Sequence, residues 1–371
     1  MIFTARSDGY HHCRIPTMVV SPGGQLLVFA ECRKKAPGHP DYWDIDIRLR
    51  RSADAGRTWD EPRVILRHAD FGDGPLHNFA PIRDLGRHCV HVLFCHAYRE
   101  VYYICSDDDG ATWTHPREIT ASLKPLRNVY PWKVVATGPG HGICKIREPA
   151  RGRLIVPVWM CKGVDGQKDP HRPSDLTLLY SDDGGEHWQA GPMVMRHEQA
   201  SLEGPEVRTP SEVGAAELDD GSVLFNARNE SGPYCRVVSR SADGVDDWSA
   251  PSFQKELLDP VCHGSLLEVP GGPGEKSLLV FVNPHTLDET LKGRWGRARD
   301  RKNLCARISR DQGRTWEPPL VIEPGPSGYS DLAFLQGPDG ARFVFCAFEC
   351  GMIDNMYDSA GIALWRLELP V

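Results

Sequence analysis

Long apolar runs, basic blocks and closely paired cysteines are all missing from this chain of 371 residues. Its most apolar stretches, such as Leu278 to Val282, are far too short to cross a bilayer as a helix. Arg6 and Asp8 break the apolar start before a signal-peptide core can form. The expectation is therefore a cytoplasmic protein with no membrane span, or a secreted or periplasmic one if a leader has been removed. No run of Lys and Arg tracks a phosphate backbone, and the net charge of −7 argues against a nucleic-acid partner. Any positive pocket must then be a local feature. The 12 cysteines contain no Cys-x-x-Cys pair, and most sit inside apolar runs (Cys95, Cys305, Cys346), which predicts buried free thiols.

What is plentiful is glycine (36), proline (30) and tryptophan (10), a composition for many short strands joined by tight turns. A repeat gives those strands an order. Ser-x-Asp-x-Gly-x-Thr-Trp appears at Ser52 to Trp59, at Ser106 to Trp113 and at Ser309 to Trp316. Ser181 to Trp188 is a further copy with His187 in the threonine place, and Ser241 to Trp248 a degenerate one whose Gly244 comes a place early. Asp and Ser side chains bond turn backbone, and Gly takes a conformation that other residues resist. The tryptophan is expected to pack over the hairpin it closes. Each copy follows a strand-like run: IDIRLRRS, REVYYICS, LTLLYS, CRVVSRS and NLCARIS. Successive serines lie 54, 75, 60 and 68 residues apart, room for four short strands per unit. Six such units fill the chain, the last lacking the repeat. The predicted fold is all-β, a six-bladed β-propeller of four-stranded antiparallel blades, with residues 1–371 forming one domain. These repeats are turn devices and carry no chemistry of their own.

The repeats resemble the Asp boxes of sialidases, and Arg14-Ile15-Pro16 resembles the Arg-Ile-Pro motif that opens a sialidase domain. The resemblance runs from Tyr10 to about Gly351 and implies an exo-α-sialidase that hydrolyses terminal α-linked sialic acids with retention. The implied partner is a sialylated glycan or another nonulosonic-acid glycoside; no cofactor and no metal is implied, and oligomeric state is not. Transfer in place of hydrolysis, or a non-catalytic sugar-binding propeller, are its rivals.

The resemblance assigns residues one by one. A sugar acid with a carboxylate on its anomeric carbon calls for arginines, permanently charged and able to donate two parallel hydrogen bonds. Arg14 matches the first of the family's three, Arg228 the second and Arg301 the third, with Arg294, Arg297 and Arg299 crowding the same loop as Arg301. A carboxylate nucleophile would be repelled by such a substrate, whereas a neutral phenol, whose proton a neighbouring base takes as it attacks, avoids that repulsion; sialidases are the known tyrosine case among glycosidases. Tyr329, in Ser-Gly-Tyr-Ser-Asp-Leu, matches that nucleophile, and Glu212 its base, with Glu217 read as a strand residue. Asp41, on a Gly/Pro loop, matches the acid/base, ahead of Asp44 and Asp46. Arg33 matches an arginine that contacts the sugar, and Glu349 a glutamate that orients the first arginine. The glycine-rich stretch 138–142 is read as structural, and His11, His12 and His171 lack convincing ligand spacing. The polar loop 161–175 either overhangs the pocket or is plain surface.

Overall fold

In the computed structural model, all five repeat serines end a β-strand. The structure describes residues 1–369 other than 37–38, 164–170, 273, 288–299, 338–339 and 356. After β1 (Phe3–Thr4) comes a sheet of β2 (His12–Val20), β3 (Leu26–Lys34), β4 (Asp44–Ser52) and β5 (Arg63–Leu66). The second holds β6 (Leu76–Asp84), β7 (Cys89–His96), β8 (Glu100–Ser106) and β9 (Arg117–Glu118). The third runs β10 (Val134–Thr137), β12 (Leu154–Cys161), β13 (Ser174–Ser181), β14 (Gln189–Ala190), with β11 (Ile143–Cys144) added onto β12. The fourth is β15 (Val213–Glu217), β16 (Val223–Ala227), β17 (Cys235–Ser241) and β18 (Ser252–Leu258).

The remaining strands form one seven-stranded sheet where the sequence predicts two blades. They are β19 (Ser265–Val269), β20 (Leu278–Pro284), β21 (Lys302–Ser309), β22 (Leu320–Gln336), β23 (Arg342–Cys350) and β24 (Gly361–Leu369), with β1 paired onto β24. The reason is β22. Its first part, Leu320 to Pro326, pairs with β21, and the stretch from Ser327 to Gln336 pairs with β23. One unbroken strand thus carries two ladders. All pairings are antiparallel.

The repeat turns follow from their side chains. Ser52 Oγ accepts from Gly56 N–H at 2.9 Å, while Asp54 accepts from Thr58 N–H at 2.8 Å and from Thr58 Oγ1 at 2.6 Å. Ser309, Asp311, Gly313 and Thr315 repeat the pattern, and His187 Nδ1 replaces the threonine hydroxyl in bonding Asp183 at 2.7 Å. Thr58's two bonds hold the exposed Asp54 carboxyl down at about 2. Gly110 has φ +74°, and a Cβ there would lie 2.5 Å from Leu27 Cδ2 of the first sheet, so only glycine fits both demands. The tryptophans reach beyond their own hairpins: Trp113 packs edge-on against Phe29 of the first sheet, with ring centroids 5.9 Å apart.

Apolar clusters lie between consecutive sheets. Leu27 and Phe29 of the first sheet meet Val90, Val92 and Phe94 of the second. On its other side the first sheet packs Leu26 and Val28 against Phe345 and Ala347 of the seven-stranded sheet, so the start and end of the chain share a core. One expectation is corrected here. The β2–β3 register sets Cys13 opposite Cys32, with Cα atoms 4.1 Å apart, and the two form a disulfide; strand register, invisible in sequence spacing, brings them together. The other ten cysteines lie outside this disulfide.

Replacing Ser309, which is fully buried, with Ala leaves the Gly313 N–H without its acceptor. Ser309→Ala should cost about 1–3 kcal/mol of stability in urea unfolding. The Asp54 carboxyl is depressed in the fold, so its contribution is complete above the unfolded value, near 4, and is lost as pH falls toward 2. Asp54→Asn should therefore flatten the acid limb of the melting-temperature profile over that window.

Candidate active site

The Arg14-Ile15-Pro16 motif is where β2 breaks register. Pairing with β3 runs to Arg14 and slips before Thr17. Ile15 stands at φ +52°, a left-handed conformation that costs a β-branched residue free energy and is held by its surroundings. Its N–H donates to Glu349 Oε1 at 2.9 Å, and the same oxygen takes Arg14 Nε at 3.0 Å. Glu349 Oε2 accepts from Arg14 Nη2 and from Tyr329 N–H, each at 3.2 Å. Tyr329 sits in the matching irregularity of β22, between Ser327 and Ser330. A Cβ on Gly328 would collide with the Glu349 carboxylate, so glycine is required beside it. Glu349, on β23, thus holds both segments.

Around the Tyr329 phenol, geometry and charge favour proton transfer. Its hydroxyl donates to Glu212 Oε1 at 2.5 Å, and Arg228 Nη1 donates to Tyr329 Oη and Glu212 Oε2, each at 2.7 Å. Glu212 immediately precedes β15 and Arg228 immediately follows β16, so the pairing of those strands brings them together. Burial works against the Glu212 anion, but the Arg228 charge outweighs it and holds the carboxyl below its ordinary value. Burial pushes the Tyr329 phenol well up, so it rests neutral. The guanidinium carbons of Arg14 and Arg301 lie 5.4 and 5.3 Å from the Tyr329 ring centroid. Arg301 donates to the Val261 carbonyl at 3.0 Å, and among the described residues no carboxylate pairs with it. Its rivals Arg294, Arg297 and Arg299 lie outside the described residues.

Asp41 sits in the short turn Pro40–Tyr42, about a third exposed, with Oδ1 2.6 Å from Arg33 Nη1. Burial opposes its charge, but Arg33 and Arg14 together hold the carboxyl far below the usual range, so it is an anion. The alternatives are occupied elsewhere. Asp46 accepts from Tyr10 Oη at 2.7 Å and from His68 N–H at 2.8 Å, and exposed Asp44 faces His68. Glu217 binds the backbone N–H of Ile146 and Arg147 and pairs with buried Lys145, a structural role as expected.

A pocket of about 840 Å³ gathers Arg14, Arg33, Asp41, Glu212, Arg228, Arg301 and Tyr329 in its lining, with Glu349 buried behind. Pro139 of the glycine-rich stretch and His171, Arg172 and Ser174 of the 161–175 loop also line it; residues 164–170 of that loop lie outside the described residues. Several residues escape sequence reading. Tyr98, Trp159 and His171 form an aromatic wall, with Tyr98 and His171 ring centroids 4.4 Å apart. Glu31 lines the pocket and bonds Arg33 Nη2 at 2.7 Å. Buried His263 packs 5.5 Å from the Tyr329 ring, and burial lowers its value to about 4, so it is neutral. The only sequence signal for Glu31 is its place two residues before Arg33, on the same face of a strand; His263 has none. No helix among the described residues is long and apolar enough to cross a membrane.

This site stands on a fold with known relatives. The chain belongs to the sialidase superfamily, within the family described as BNR repeat-like domain, whose model matches residues 87–344. It is 28% identical over 361 residues to a sialidase of Micromonospora viridifaciens, an alignment covering 90% of this chain and 49% of that protein. With a sialidase of Bacteroides fragilis it shares 27% identity, covering 89% of this chain and 59% of the relative. It therefore spans only about half to three-fifths of the length of these relatives. The solved structure of the Hadza microbial sialidase Hz136 superposes with a TM-score of 0.77 at 24% identity, over 99% of this chain and 68% of that one, a likeness of fold.

Removing Glu349 leaves the buried Arg14 guanidinium and two backbone N–H groups unpaired. Glu349→Ala should cost about 3–5 kcal/mol in urea unfolding. A loss well below 1 kcal/mol would show that the Arg14 segment is held by other means.

Proposed function

We propose that this chain is an exo-α-sialidase, one catalytic domain over residues 1–371, hydrolysing terminal α-linked sialic acids with retention through a tyrosyl intermediate. The proposed architecture is a six-bladed propeller. Counting β22 once with β21 and again with β23 turns the seven-stranded sheet into two four-stranded blades, the last completed by β1. On that count each repeat turn joins the third strand of a blade to its fourth. The last blade has none because its fourth strand is the beginning of the chain.

The observation that carries the activity is the Tyr329–Glu212–Arg228 triangle, a neutral phenol 2.5 Å from a buried carboxylate that Arg228 keeps ionised. As Tyr329 Oη attacks the anomeric carbon, its proton passes to Glu212, while Arg228, already bonded to both oxygens, stabilises the charge as it moves. Arg14 and Arg228 already have carboxylate partners, and Arg301 has none among the described residues. The substrate's carboxylate supplies that missing counter-charge and sets the anomeric carbon beside Tyr329. Asp41 is the acid and then the base. Arg33 and Arg14 hold it as an anion, but a bound sugar displaces water and brings a negative carboxylate close to Arg14. Both effects raise the Asp41 proton affinity until it can protonate the leaving oxygen. With the sugar held on Tyr329, ionised Asp41 draws a proton from the water that hydrolyses the adduct.

Tyr329→Phe should retain the fold and lose turnover of an aryl sialoside by orders of magnitude; near-wild-type release of the aryl group excludes Tyr329 as nucleophile. Arg301→Ala removes a charged hydrogen-bonding group worth about 1.5–3 kcal/mol. Affinity for free sialic acid, read by calorimetry, should fall roughly 10- to 100-fold, with little change for a sugar lacking the carboxylate.

A further inference from the structure

Arg33 is shared. Its Nη1 donates to Asp41 Oδ1 at 2.6 Å and its Nη2 to Glu31 Oε2 at 2.7 Å, so one guanidinium serves two carboxylates, one at each end. Both carboxylates line the pocket, but they are held differently. Asp41 rides on the short Pro40–Tyr42 turn and is partly exposed. Glu31 is 1% exposed on β3, and its second oxygen is fixed by the backbone N–H of Asn78 at 2.8 Å. That N–H faces it because β6 slips register between His77 and Ala80, with Asn78 at φ +57°. The second sheet therefore clamps Glu31 in place beside Arg33. Burial raises the Glu31 proton affinity, while the Arg33 charge and the Asn78 N–H oppose it.

This sharing has a chemical consequence. A full positive charge 2.6 Å from Asp41 keeps that carboxyl ionised, the wrong state for donating a proton to a leaving oxygen. A second anion on the same guanidinium offsets part of that charge at Asp41. Arg33 is bonded to both carboxylates and so links Glu31 to Asp41.

We propose that Glu31 is a positioning residue for proton transfer at Asp41: by occupying Arg33 Nη2 it draws Arg33's charge away from Asp41 and lets Asp41 hold the proton that the leaving group needs. The step is unchanged in its balance. Protonated Asp41 gives its proton to the glycosidic oxygen as the bond to the anomeric carbon breaks, and recovers one from the attacking water. The inference rests on Asp41 being the acid/base of the proposed sialidase.

The test compares two substrates on purified, folded enzyme: an aryl sialoside with a good leaving group, which needs little protonation, and a sialyl-galactoside, which needs much. In Glu31→Gln the amide oxygen still accepts from Asn78 N–H, but the negative charge is gone. Its kcat on the sialyl-galactoside should fall about tenfold further than on the aryl sialoside, as expected for weakened general acid catalysis. Glu31→Asp, which keeps the charge, should restore the ratio of the two rates to within about threefold of the parent. Asp41→Asn is measured alongside and should shift the same ratio more strongly. If Asp41→Asn discriminates between the substrates and Glu31→Gln slows both equally, the Glu31 inference falls alone. If Asp41→Asn also slows both equally, the assignment of Asp41 and the inference resting on it fall together. A Glu31→Asp ratio as distorted as that of Glu31→Gln overturns the role given to the charge.

Discussion

Two separate pieces of chain meet on the Glu349 carboxylate: one through the Arg14 guanidinium and the Ile15 N–H, the other through the Tyr329 N–H. A buried anion is stabilised only when its lone pairs are filled and a counter-charge is near, and removing either partner strands the other. The site and the packing of the last sheet on the first are therefore one arrangement. Ile15 is held in an unfavourable backbone conformation, and Gly328 leaves the space the carboxylate fills. One strand position away, the Cys13–Cys32 disulfide ties β2 to β3 just before Arg14 and Arg33.

The same logic of paired charge runs through the pocket. Arg14 has Glu349, Arg228 has Glu212, and Arg33 has both Glu31 and Asp41. Arg301 stands apart, bonded to a carbonyl and lying over the rings of Tyr329 and Tyr357. Four arginines thus face four carboxylates, and of the four Arg301 is the one without a carboxylate partner among the described residues. In the proposed mechanism little reorganisation is needed as charge develops on the phenol, because Arg228 already donates to its oxygen. Burial pushes the Tyr329 phenol up and the His263 imidazole beside it down, and both shifts belong to the folded state alone.

Residues named from family resemblance gather at one place: Asp41, Glu212 and Tyr329 with Arg14, Arg33, Arg228 and Arg301 in the lining, and Glu349 directly behind. Their motifs are legible because each sits at a strand end or a register slip, where short sequence signatures survive. The rest of the pocket was not legible. Glu31 reads as an ordinary strand residue until β6 brings Asn78 N–H against it, and His263 is unremarkable until it packs on Tyr329. Cys13 and Cys32 read as two buried thiols because nothing in their spacing states the register of β2 on β3.

The sequence by itself determined the turns and the strands that enter them. Ser309, Asp311, Gly313 and Thr315 close their own hydrogen bonds within four residues, so no distant partner is needed. It also determined which side-chain types are available to the pocket: arginines, a phenol and carboxylates. Tertiary structure alone decided how those charges are divided. Arg14 and Glu349 lie 335 residues apart in the chain, and Glu212 and Tyr329 lie 117 apart. Whether a carboxylate in this pocket is ionised, shared or left waiting depends on burial and on neighbours at hydrogen-bonding distance, and only the packed sheets supply both.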